Sequence, residues 1–149
     1  MIKRAVIIND TTAIGMEFGT KLATAKETIG RGKTDYTLNA ILSKDIEKLH
    51  FDGNINIAHL GLHDDGSSTN LLGWAASLSL PIADGWQATA EPSGFHQNGQ
   101  ATTTQILTAL AYSPNKNMTI DFGVSKGLNK LSHGYSLFAG VVLPIAKLW

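Results

Sequence analysis

The chain contains no cysteine among its 149 residues. Disulfide frameworks, thiolate metal sites and cysteine nucleophiles are thereby excluded, leaving histidine, serine and carboxylates for any chemistry. It has no excess of charge either, since twelve basic residues balance twelve acidic ones. Without a broad basic field, nucleic acid is not an expected partner. Long apolar runs are also missing. The longest charge-free stretches are broken by Gly, Ser, Asn, Thr and Gln, so none resembles the ~20 apolar residues of a spanning helix. The opening Met1-Ile2-Lys3-Arg4-Ala5-Val6-Ile7-Ile8 meets Asn9-Asp10 after four apolar residues, short of the roughly 7–15 that an export signal uses.

What is present is strand-like alternation in segments of about ten to fourteen residues, separated by Gly/Pro/Asn/Asp/Ser-rich breaks. Eight segments stand out, at 16–25, 33–45, 50–62, 71–82, 86–97, 102–113, 118–127 and 135–145. Residues 1–15 read as a tail or the remnant of an upstream strand, and 16–149 as the domain. The connections alternate in length. Those at 26–32, 63–70, 97–101 and 128–134 are long and polar, while 46–49, 83–85 and 114–117 are tight. An all-β, antiparallel up-and-down barrel of about eight strands predicts unlike ends of this kind, and an incomplete barrel is the alternative.

Residues on a strand alternate between faces. In 71–82, Trp74, Ala76, Leu78 and Leu80 share one face against Gly73, Ala75, Ser77 and Ser79; in 118–127, Ile120, Phe122 and Val124 oppose Thr119, Asp121 and Gly123. A membrane barrel sends the aliphatic row to lipid and the small or polar row inward. On that reading Glu17, Lys21, Asn39, Glu91 and Asp121 face the lumen, pairing among themselves as structural groups. Tyr36, Trp86, Tyr112, Tyr135 and Trp149 then form aromatic girdles at the two interfaces.

The stretch Lys21-Leu22-Ala23-Thr24-Ala25-Lys26, followed by Ile29-Gly30-Arg31-Gly32-Lys33-Thr34-Asp35-Tyr36, resembles the outer-membrane transporter barrels of the MetA pathway of phenol degradation type. That family ends a strand in Lys-Leu-Pro-Thr-Gly and closes the next loop on Gly-Lys-Thr-Asp-Tyr; Ala23 and Ala25 depart from it. The resemblance extends to Asp84-Gly85-Trp86 and the terminal strand from Gly134 to Trp149. It implies a Gram-negative outer-membrane location and the C-terminal portion of a porin-like transporter. It also implies outer-membrane lipid around the barrel, barrel-assembly machinery reading the C-terminal strand, and a small hydrophobic or aromatic solute as cargo.

Three other chemistries can be compared with the sequence. Gly30-Arg31-Gly32-Lys33-Thr34 lacks the first glycine of a phosphate-binding loop, with Glu27 in its place. His63, His96 and His133, with Asp64 and Asp65, have no close ligand spacing, and neither a metal nor another cofactor is expected. His133 and Ser136 invite comparison with outer-membrane lipid-modifying acyl hydrolases, although residues three apart on a strand face opposite ways. The chain is therefore not expected to be an enzyme. A calycin-like ligand-binding barrel, lined by Trp74, Leu78 and Phe122, is the other reading of the same strands.

Overall fold

In a computed structural model, the protein is described over residues 1–24, 33–61, 69–130 and 132–143. Those residues form nine strands: β1 (Ile2–Asn9), β2 (Thr12–Lys21), β3 (Asp35–Ile46), β4 (Leu49–His59), β5 (Asn70–Ala83), β6 (Trp86–Gln97), β7 (Thr103–Asn115), β8 (Met118–Gly127) and β9 (Tyr135–Val142). Each pairs antiparallel with the next in a single sheet whose spatial order is the chain order. Residues 1–15 supply β1 and the beginning of β2, so the sheet starts ahead of the expected first segment.

The reversals follow local chemistry. Two-residue connections join β1 to β2, β3 to β4, β5 to β6 and β7 to β8, while longer ones join the remaining pairs at the opposite end. Gly85, at φ +70°, provides the backbone that Asp84-Gly85 requires, because a left-handed conformation costs a glycine little. Glu47 reaches φ +56° in the β3–β4 turn without that freedom. Within the sheet, the β5–β6 ladder lapses between Ala75–Ser93 and Leu78–Ala90. Pro92 stands in that gap and has no N–H to donate.

The expected barrel is corrected here: the sheet is open. Among the described strands, β1 contacts only β2, and β9 contacts only β8. Nine strands give the physical reason, because in an antiparallel series the first and ninth run the same way. Closure would require a parallel seam between them, and no such pairing exists among the described strands. With no closed barrel there is no lumen, so neither the membrane barrel nor the calycin-like cavity describes this fold. The enclosed core is correspondingly small. Ala58 is the sole buried apolar residue among those described.

Candidate functional site

The register sorts the side chains onto two unlike faces. One carries Ile14, Met16 and Phe18 from β2, Leu38 and Leu42 from β3, and Ile55 and Ile57 from β4. It continues through Leu72, Trp74 and Leu78 of β5, then Leu110, Phe122 and Leu137 of β7 to β9. Most of these large apolar groups are exposed, Ile55 by 57 % and Leu137 by 84 %. From β2 to β9 the charge-bearing residues on this face are Lys44, His59, His96 and Lys126, each at or within two residues of a strand end, and the outermost strand β1 adds Arg4 opposite Met16. The centre is thus uncharged and the rim polar.

Two troughs score this apolar face. The larger, of about 900 Å³, runs between Leu80, Leu110, Phe122 and Leu137 over small residues such as Ala88 and Ala90. The smaller, of about 510 Å³, lies beside Trp74, between Leu42, Phe51 and Ile55. Trp74, Leu78 and Phe122, expected to line a calycin-like interior, therefore border open troughs.

Tyr36, Trp86, Tyr112 and Tyr135, expected to form the girdles, lie toward the two ends of the same face. Trp86 stacks on Tyr112 at 4.7 Å between ring centroids and meets Phe122 edge-on at 6.4 Å, near the short-turn end. At the long-loop end Tyr36 stacks with Phe18 at 6.4 Å, and Lys126 lies over the Tyr135 ring at 5.3 Å. Trp149, expected to join them, lies outside the described residues.

Glu17, Lys21, Asn39, Glu91 and Asp121 all occupy the opposite, polar face, as their register partners require. They do not converge on one site. Lys21 pairs with Asp35 at 3.3 Å, and the other Asp35 oxygen accepts the Gly61 N–H at 2.9 Å. Glu17 stands beside Asn39, whose side-chain oxygen is buried without a hydrogen-bond partner. Glu91 faces Leu107 across the β6–β7 ladder. The Asp121 carboxylate occupies the space beside Gly140, where an added Cβ would come within 2.7 Å of it.

The densest polar network was not anticipated. At the β3–β4 turn, His50 Nδ1 lies 2.6 Å from Asp45 and Nε2 lies 3.0 Å from Asp52, whose other oxygen accepts from the Ser43 hydroxyl. The two-residue turn sets this up by pairing Asp45 with His50 and Ser43 with Asp52. The Asp45 hydrogen bond, with the charges of both aspartates, raises the His50 pKa above 6.5 against a smaller opposing effect of desolvation. A protonated ring can donate to both carboxylates, whereas a neutral ring donates to one. Because Ser43 bonds the carboxylate and not the imidazole, the four residues form a charged clasp, not a nucleophile activated by a base.

The other histidines are held separately. His59 bonds Asn70, and His96 bonds Thr102 and Asn98. His133 bonds the Lys130 carbonyl, while Ser136 stands opposite Ser125, so the pairing considered for acyl hydrolysis is not assembled. Among the described residues no group of three His, Cys, Asp or Glu side chains could hold a metal ion. His63, Asp64, Asp65 and the 26–32 loop lie outside the described residues.

Comparison of the chain with protein-family models, curated proteins and solved structures finds no match. The expected membership of the transporter family is accordingly corrected, because neither a family model nor a closed barrel supports it. The functions and settings inferred with it lose their basis in the same way: porin-like transport, Gram-negative outer-membrane location, membrane lipid, assembly machinery and small-solute cargo. The acyl hydrolase finds no support either, with His133 bonded to the Lys130 carbonyl and Ser136 opposite Ser125.

Proposed function

We propose that this chain acts by association and not by catalysis, as an assembly sheet whose apolar face packs against the same face of a second copy. The observation that carries this reading is the uncharged, largely apolar centre with charged groups confined to its rim. Nine strands about 4.8 Å apart and about 33 Å long present about 1,400 Å². Two such faces together would remove about 2,800 Å² from water, within the roughly 2,000–5,000 Å² typical of obligate homodimers. Aligned sheet-on-sheet packing places apolar rows of this kind about 10 Å apart.

The troughs make the fit specific. Trp74 borders the smaller hollow and Leu78 the larger, so equivalent side chains from a partner can seat in them. Aromatic anchors in desolvated pockets carry most of the energy of such contacts.

Sedimentation velocity tests the reading directly. The parent chain is expected to sediment as a dimer or a multiple of one, and Trp74→Lys combined with Phe122→Lys to break the face contact. A parent chain of 15.9 kDa that stays monomeric and binds no apolar dye would overturn it.

A further inference from the structure

The two outer strands of the sheet differ in how they treat a newcomer. β1 carries Lys3 and Arg4, charges that discourage edge pairing, whereas Tyr135-Ser136-Leu137-Phe138-Ala139-Gly140-Val141-Val142 in β9 carries neither charge nor proline. β9 pairs with β8 on one side, and among the described residues no strand lies on its other side. Seven of its eight residues are exposed. An edge of this length and composition has unpaired backbone donors and acceptors ready for another strand.

We propose that β9 is a docking edge that pairs antiparallel with β9 of a second copy, joining two sheets into one. The direction follows from symmetry, since a two-fold axis perpendicular to the sheet, which keeps the two apolar faces on one side, reverses the strand and forms a closed contact. That continues the pattern of the other eight ladders. Pairing β9 with β1 of another copy would instead be parallel, because both strands run the same way. It would also be head-to-tail, and would bring in the charges of Lys3 and Arg4.

Face alternation fixes the geometry further. Apolar residues of β9 must meet apolar residues of its partner, so Leu137, Ala139 and Val141 pair with odd-numbered positions. Under a two-fold axis, this parity makes one residue face its own copy. The longest overlap of the strand with itself places that residue at Phe138 or Ala139.

This contact is independent of the face-to-face packing proposed above. One two-fold stands perpendicular to the sheet and the other lies in its plane. Where the two axes intersect, they generate a closed four-chain assembly.

The absence of cysteine gives a clean test. Single variants Leu137→Cys, Phe138→Cys, Ala139→Cys and Val141→Cys are oxidised with diamide and read by mass on non-reducing gels. Self-facing positions fall within disulfide reach, and neighbours two residues along do not. The expected result is a covalent dimer from Phe138→Cys or Ala139→Cys, lost when Ser136→Lys and Val142→Lys are added while far-ultraviolet circular dichroism is unchanged. Equal cross-linking at all four positions, cross-linking no greater than at Ile7→Cys in β1, or persistence in the lysine background would overturn the proposal. Trp74→Lys leaves the cross-link in place, so failure of the face contact and failure of the edge contact read out separately.

Discussion

The Phe138 ring lies against the backbone of Gly123, its direct cross-strand partner on the polar face. A Cβ added at Gly123 would stand 2.5 Å from the ring and 2.6 Å from the Thr108 carbonyl oxygen. The ring covers the strand where the glycine has no side chain of its own, and the neighbouring ladder oxygen prevents the backbone from giving way.

Gly123→Ala is therefore expected to lower stability by about 1–3 kcal/mol, the usual cost of overpacking. Urea denaturation of this variant, of Phe138→Ala and of the double variant measures it. Part of the cost should vanish in the Phe138→Ala background and part should remain, because the Thr108 carbonyl cannot move aside. Full additivity would mean that the ring and the glycine are uncoupled.

His50 gives a pH dependence with a definite sign. Its pKa is raised in the fold, so the clasp with Asp45 and Asp52 contributes fully below the unfolded value near 6.5 and is lost as pH rises through the folded value. The advantage of the parent chain over His50→Gln in urea should shrink with increasing pH. A nuclear magnetic resonance titration of the His50 ring should give a midpoint above 6.5. A midpoint below that value, or an advantage that grows with pH, contradicts the clasp.

Glu47 occupies a left-handed conformation that costs a non-glycine residue about 1–2 kcal/mol. Glu47→Gly relieves the strain but adds freedom to the unfolded chain, for a net gain of up to about 1 kcal/mol. Thermal denaturation should show a higher midpoint. A lower one would mean that the Glu47 side chain contributes more than its backbone costs.

Among the described residues Trp86 and Tyr112 form the closest aromatic pair, with Phe122 edge-on to the indole. A double-mutant cycle through Trp86→Leu and Tyr112→Leu is expected to give a coupling of about 0.5–1.5 kcal/mol. The near-ultraviolet dichroism of the stack should disappear in either single variant.

Much of the strand layout was legible before the structure. Alternation across Trp74 to Leu80 and across Ile120 to Val124 placed those residues on one face, and the tight segments at 83–85 and 114–117 became reversals. Closure was not legible, because a row of alternating residues reads the same in an open sheet and in a barrel. β1 was legible only as one of two alternatives, a tail or a remnant strand, because Ala5-Val6-Ile7-Ile8 is a continuous apolar run without alternation and only its β-branched residues favour a strand. That additional strand made the count odd.

The His50 clasp was legible in principle. Once Glu47-Lys48 is taken as a two-residue turn, pairing outward from Ile46 and Leu49 brings Asp45 to His50 and Ser43 to Asp52. Histidine spacing along the chain conceals this, since the partners lie across the hairpin and not beside one another in sequence. Asp121 shows the converse. Its polar-face position follows from alternation, but its dependence on the bare backbone of Gly140 appears only when β8 and β9 are paired.

Because every two-residue reversal sits at the same end of the sheet, the two rims differ in their tolerance of added sequence. A peptide tag or small folded insert between Gln97 and Thr103 would enter a connection that already spans several residues, and lengthening such a loop costs little entropy. The same graft between Ile46 and Leu49 would pry apart a hairpin whose chain reversal has no slack.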